Sequence, residues 1–108
     1  VIMIRAIVRP ERTTKILLEL SKAGFPAVTK MDVVGRGKQR GISVGEIVYD
    51  EIPKDLLMLV VQDEEKDDVF SIVSRYAKTG EKGAFGDGKI FVSPVEEAYT
   101  ISSGTKNL

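Results

Sequence analysis

Apolar residues recur along this chain with two periods. VIMIRAIVR (Val1 to Arg9) is rich in β-branched residues and stops at Pro10, which predicts a strand. Pro10 suits the first turn of a helix, and from there Ile16, Leu17, Leu20 and Ala23 recur at helical spacing until Gly24 offers a stop. The pattern predicts an amphipathic helix over Glu11 to Ala23. In FPAVTKMDVVG, Ala27-Val28-Thr29 leads into Met31, Val33 and Val34, a second strand. LLMLVV (Leu56 to Val61) is a third, hydrophobic enough throughout to be central. In DEEKDDVFSIVSRYAKTG, Asp63, Glu64 and Glu65 load acid onto a helix start, where the helix dipole favours it. Val69, Phe70, Val73, Tyr76 and Ala77 form the apolar face of that helix, Lys78 falls in its last turn, and Gly80 can end it. KIFVSPVEEAY reads as a fourth strand with Pro94 at a bulge or edge, and SSGTKNL as loose loop.

The order β-α-β-β-α-β predicts one α+β domain over residues 1–108, with a ferredoxin-like four-stranded antiparallel sheet and two helices on one face. The first and third strands are apolar on both faces, so a partner subunit is expected on the open face. GRGKQRGISVGEIVYDEIPK (Gly35 to Lys54) is long for a connection in a compact domain. It reads as a functional loop over about residues 36–54, and Ile42/Val44 with Ile47/Tyr49 has the alternation of a short hairpin.

Composition narrows the function. Lys plus Arg and Asp plus Glu are both 16, so no dominant polyanion partner such as nucleic acid is expected. An RNA-reading sheet would also need stacking aromatics on its central strands, and VIMIRAIVR and LLMLVV have none. The absence of cysteine removes disulfides and thiolate metal sites, and the absence of histidine removes the commonest general base. A binding or regulatory role gains weight over an enzymatic one. No apolar run is long enough to insert in a membrane, and no signal-peptide layout is visible, so a cytoplasmic protein is expected.

Two glycine-rich segments carry candidate chemistry. GAFGDGK (Gly83 to Lys89) has P-loop spacing but ends on Ile90 where that motif needs Ser or Thr. The predicted order is helix, loop, strand, the reverse of a P-loop, so the Walker reading is rejected. Composition leaves open whether the glycines form an anion-binding nest served by Lys89 or only a turn. GRGKQRG places Arg36, Lys38 and Arg40 among glycines, either a solvated loop or a second wall of an anion site.

VVGRGKQRG, IPK, and TG followed by GDGKIFV together resemble the PII nitrogen-regulatory signalling family, through nearly the whole chain. MDVVG, the shortened loop and SPVEEAYTI look most like the branch encoded among nitrogen-fixation genes. The resemblance implies a non-enzymatic trimer, homomeric or mixed with a sister protein. ATP or ADP would bind with Mg²⁺ and 2-oxoglutarate in clefts between subunits, and the long loop would carry the signal to nitrogenase. By position it implies Gly86, Asp87, Gly88 and Lys89 at the phosphates, within a loop over about residues 79–89. Ile7, Thr29, Gly35 and Val60 would line the adenine pocket, with Gly37, Lys38 and Gln39 near the triphosphate. Gln39 would also ligate Mg²⁺, and Gln39, Arg40, Gly41 and Lys54 would hold 2-oxoglutarate.

This sequence departs from the family pattern at several places. Lys38 stands where Arg is usual, which keeps the charge and loses the bidentate fork. Gly83 to Phe85 are extra residues in the turn. Thr100 and Ser102 stand where many members have phosphate-contacting arginines, which predicts weaker nucleotide binding or compensation from Lys106 or Lys82. Ile47 occupies the place of a tyrosine that is uridylylated in some members, and Tyr49 is out of register, so that control is not expected. The alternative target is an ammonium channel or a nitrogen-assimilation enzyme. An acylphosphatase-like hydrolase would need a glycine cradle after the first strand and a water-positioning Asn; RPERTTK has no glycine, and Asn107 is the only Asn.

Overall fold

The computed structural model describes residues 1–36 and 51–108. Its elements are β1 (Ile2–Val8), α1 (Pro10–Lys22), β2 (Thr29–Gly35), β3 (Ile52–Val61), a 3-10 turn (Asp63–Glu65), α2 (Lys66–Ala77) and β4 (Gly88–Pro94). The strands form one antiparallel sheet in the order β2-β3-β1-β4, the ferredoxin-like arrangement expected from the sequence.

The two faces of the sheet differ. Ile4, Ala6 and Val8 of β1 alternate with Met3, Arg5 and Ile7, and Leu57, Leu59 and Val61 of β3 alternate with Leu56, Met58 and Val60. The first set is buried beneath Ile16 and Leu20 of α1 and Val69, Val73 and Ala77 of α2, forming the core. The second set lies on the opposite face, joined in register by Met31 and Val33 of β2 and by Lys89 and Phe91 of β4. Arg5 is central there, opposite Met58 on one side and Phe91 on the other.

One polar pair ties the helix layer to the sheet. Asp55 is 4% exposed, and Thr13 in the first turn of α1 donates its hydroxyl to it at 2.5 Å, with Lys30 Nζ 3.8 Å from the same oxygen. A buried carboxylate needs such partners.

Four boundaries differ from the sequence reading. β3 begins at Ile52, so Ile52-Pro53-Lys54 belongs to the strand rather than the loop. Pro53 stands beyond the end of β1, where β3 has β2 alone as a neighbour, so it interrupts no two-sided ladder. β4 stops at Pro94 on the sheet edge instead of running to Tyr99. Asp63–Glu65 form a 3-10 turn held by a capping box, in which the Gln62 amide donates to Glu65 Oε1 at 2.9 Å. The tail expected to be loose instead folds back: Tyr99 bridges Lys106, the Thr100 amide donates to Thr105 O, and the Gly104 amide donates to Thr100 O.

Candidate functional site

The candidate site lies where β1 ends and β3 and β4 begin. Its framework is the segment from Thr79 to Lys89. Gly80, Gly83, Gly86 and Gly88 in this segment all have positive φ, a region closed to most side chains. The Asp87 amide donates to Ala84 O at 3.2 Å, closing a β-turn whose third residue is Gly86 at φ +90°. Gly88 is fixed for a second reason: a Cβ there would lie 1.8 Å from the Ile7 carbonyl oxygen.

Asp87 organises the loop. Its carboxylate accepts from the Thr79 amide at 3.0 Å, the Thr79 hydroxyl at 2.7 Å, the Ala84 amide at 2.7 Å and Arg9 Nε at 3.2 Å. Desolvation by burial pushes the carboxyl up, but the Thr79, Ala84 and Arg9 donors outweigh it and hold it well below the usual carboxylate range. This explains an acid in a segment expected to hold phosphates, since the charge turns inward and is neutralised by fixed donors.

Two cations grip the loop from outside. Arg9 donates to Phe85 O at 2.7 Å, and Lys54 donates to Gly86 O at 2.5 Å. The three extra residues therefore form the outer arm of the turn, with the Phe85 side chain 87% exposed. Lys89, second in β4, stands opposite Ile7 on the open sheet face and makes no hydrogen bond or ion pair among the described residues. A cation so placed, beside the positive-φ glycines Gly86 and Gly88 with Asp87 between them, can meet an anion of phosphate size.

The remaining expected residues divide into groups. Ile7, Gly35, Lys54 and Gly86 to Lys89 share one end of the sheet, and Gly35 lies 3.8 Å in projected Cβ contact from the Lys54 side chain. Thr29 pairs with Met58 and Val60 with Met3, toward the other end. Val60 is four positions along β3 from Leu56, the partner of Ile7, about 13 Å at strand rise. One protomer thus does not gather the expected adenine pocket at a single place; it carries two separate portions. Gly37, Lys38, Gln39, Arg40 and Gly41, with Ile47 and Tyr49, lie outside the described residues. Thr100 serves the tail turn and hydrogen-bonds Asn107, while Lys106 is paired with Glu97 at 3.3 Å. Of the two compensating cations expected, Lys82 makes no ion pair among the described residues.

Sequence reading missed Arg9 and Thr79 as site residues. The available signal was positional: Arg9 is a cation at the strand end just before a helix-opening proline, and Thr79 precedes Asp87 by eight residues. Among the described residues there is no cluster of acidic side chains fit for a metal ion, and no helix is long and apolar enough to cross a membrane.

An antiparallel α+β sheet thus carries a glycine-rich turn at one strand end and a long connection between its second and third strands. Residues 1–105 match the family described as Nitrogen regulatory protein P-II, and the chain belongs to that family of regulatory proteins. It is 55% identical over 106 residues to the nitrogen fixation nifHD region GlnB-like protein 1 of Methanobacterium ivanovii, covering 98% of both chains. It is 53% identical over 102 residues to the corresponding protein 1 of Methanothermococcus thermolithotrophicus, covering 94% of both. GlnB-like protein 2 of the same Methanothermococcus species is 38% identical over 117 aligned positions, covering 92% of this chain and 89% of that one.

Proposed function

We propose that this chain is a non-enzymatic sensor that binds ATP or ADP with Mg²⁺ and 2-oxoglutarate and regulates nitrogenase through the segment between β2 and β3. The observation that carries the reading is Lys89, without a hydrogen-bond or ion-pair partner among the described residues, beside the positive-φ glycines Gly86 and Gly88. Lys89 would neutralise phosphate charge while Asp87 keeps the loop in shape. Lys54 would exchange the Gly86 carbonyl for a carboxylate of 2-oxoglutarate. Gln39 would supply an oxygen to Mg²⁺.

The separation of Thr29 and Val60 from Ile7 and Gly35 supports a site completed by a second chain. The apolar open face supports an assembly, a trimer or a mixed assembly with a sister protein. The names of the relatives reported above, which refer to nitrogen fixation regions, favour nitrogenase as the target.

Calorimetric titration of MgATP, with and without 2-oxoglutarate, tests the ligand reading. The expected result is weak binding that 2-oxoglutarate strengthens and that Lys89→Met abolishes. Sub-micromolar ATP binding without 2-oxoglutarate would count against the predicted cost of Thr100 and Ser102. The target reading is tested by nitrogenase activity with added protein: inhibition relieved by 2-oxoglutarate is expected, and no effect on activity would refute it.

A further inference from the structure

In the turn from Ala84 to Asp87, the Asp87 amide donates to Ala84 O, Gly86 stands third at φ +90°, and Phe85 has no positive φ. Those signs make it a type II turn. A type I turn differs chiefly in its central peptide, here Phe85–Gly86, which is turned over, and glycine in third place can adopt either form. The local chain therefore leaves two orientations open to that peptide, and one side chain chooses between them. Arg9 Nη2 donates to Phe85 O at 2.7 Å while Arg9 Nε donates to Asp87 Oδ1 at 3.2 Å. The planar guanidinium thus ties the middle of the turn to its last residue with one rigid fork. A Cβ on Gly86 would stand 3.3 Å from Arg9 Nη2, so the glycine also makes room for the fork. A trans peptide is planar and its N–H points opposite to its C=O. With Phe85 O turned to Arg9, the Gly86 amide faces away from Arg9, and it has no hydrogen-bond partner among the described residues.

We propose that Arg9 is a positioning residue for the phosphate loop, holding the Phe85–Gly86 peptide in the orientation that presents the Gly86 amide as a donor to a phosphate. The inference rests on the reading that this loop takes the phosphates of a nucleotide, and adds what sets the shape of the loop beforehand. Arg9 Nε and Nη2 are engaged by Asp87 and Phe85, so the effect passes through the turn and not through contact with the ligand. With the peptide turned over, a carbonyl oxygen would replace the amide and repel the phosphate. A site competent in only part of the population binds with its affinity reduced by that part. The acceptor Phe85 O belongs to the three extra residues, so the longer turn carries its own means of being fixed.

The test titrates MgATP calorimetrically into wild type, Arg9→Met and Arg9→Lys, and follows hydrogen exchange at the Thr79 and Ala84 amides of each protein without ligand. Arg9 lies outside the apolar core, so both variants should fold. Arg9→Met is expected to bind MgATP about tenfold more weakly, which corresponds to a turned-over peptide in about nine chains of ten. Arg9→Lys keeps the charge without the fork and should recover only a small part of that affinity. The Thr79 and Ala84 amides should stay protected in both, because Asp87 still accepts from them. Arg9→Met binding MgATP as wild type does overturns the proposal and leaves the phosphate reading standing. Full recovery in Arg9→Lys does the same, since charge alone would then suffice. Loss of protection at Thr79 and Ala84 in Arg9→Met also overturns it, since Arg9 would then support the whole loop and not one peptide. Wild type that takes up no MgATP overturns both.

Discussion

Removing the Asp87 carboxylate should loosen the whole Thr79–Lys89 loop by a predictable amount. In Asp87→Ala, four acceptor contacts disappear at once, from Thr79 N, Thr79 Oγ1, Ala84 N and Arg9 Nε. A net hydrogen bond contributes about 1 kcal/mol, more when one partner is charged, and partial exposure reduces the sum, so the loss should be about 3 kcal/mol. Asp87→Asn separates shape from charge. Its oxygen can take the Oδ2 position and still accept the two amides, while its NH₂ faces the Thr79 hydroxyl, which can turn to accept. Only Arg9 Nε then loses its acceptor, and the loss should be about 1 kcal/mol. Urea denaturation with an unchanged slope measures both variants, and hydrogen exchange at the Thr79 and Ala84 amides localises the effect. Equal losses for Asn and Ala, or unchanged protection of the two amides in Ala, would refute this account. The pH dependence has a definite sign. The folded carboxyl is held below its ordinary value of 3.8, so the unfolded chain binds the proton first as pH falls. The stabilisation is therefore complete above that range and is lost progressively as pH drops below it, and Asp87→Asn should lack this part of the acid limb.

Three further outcomes follow. Gly88→Ala should cost more than about 3 kcal/mol, because its Cβ meets the Ile7 carbonyl backbone, whereas Gly80→Ala, also at positive φ but with open space, should cost about 1 kcal/mol; urea midpoints compare them. Thr13→Val should cost about 2 kcal/mol in the same assay, because it removes the close donor to Asp55 and leaves Lys30 at 3.8 Å. With no histidine in the chain, thermal stability should change little between about pH 6 and 8, measured by calorimetry at constant ionic strength; a sharp change there would contradict it.

The element order was legible because the core positions follow clean periods: Ile4, Ala6 and Val8 at two, Ile16 and Leu20 at four, Val69 and Val73 at four. The edges were less legible. Pro53 read as a loop residue because its tolerance depends on β1 ending two positions away, a fact of the assembled sheet and not of the local sequence. The tail turn was hidden because it is built from short polar contacts among Thr100, Ser103, Thr105 and Asn107, which have the composition of an unstructured segment. At the site, the glycine loop stood out from its spacing, but composition alone left nest and turn undecided. The inward aim of Asp87, the reach of Arg9 over 76 positions to Phe85, and the capture of Gly86 by Lys54 are long-range pairings with no local signature.

The rung formed by Gly35 and Ile52, with Arg36 Nη2 3.9 Å from Glu51 Oε1 just beyond it, brings both stems of the β2–β3 connection to one place. The sheet has thus already borne the entropy of closing that connection, and doubling the length of a closed flexible segment adds only about 0.6 kcal/mol. Length and residues between those stems can therefore change with little consequence for the core. One insert can thus be rewritten while the four strands on either side of it stay as they are.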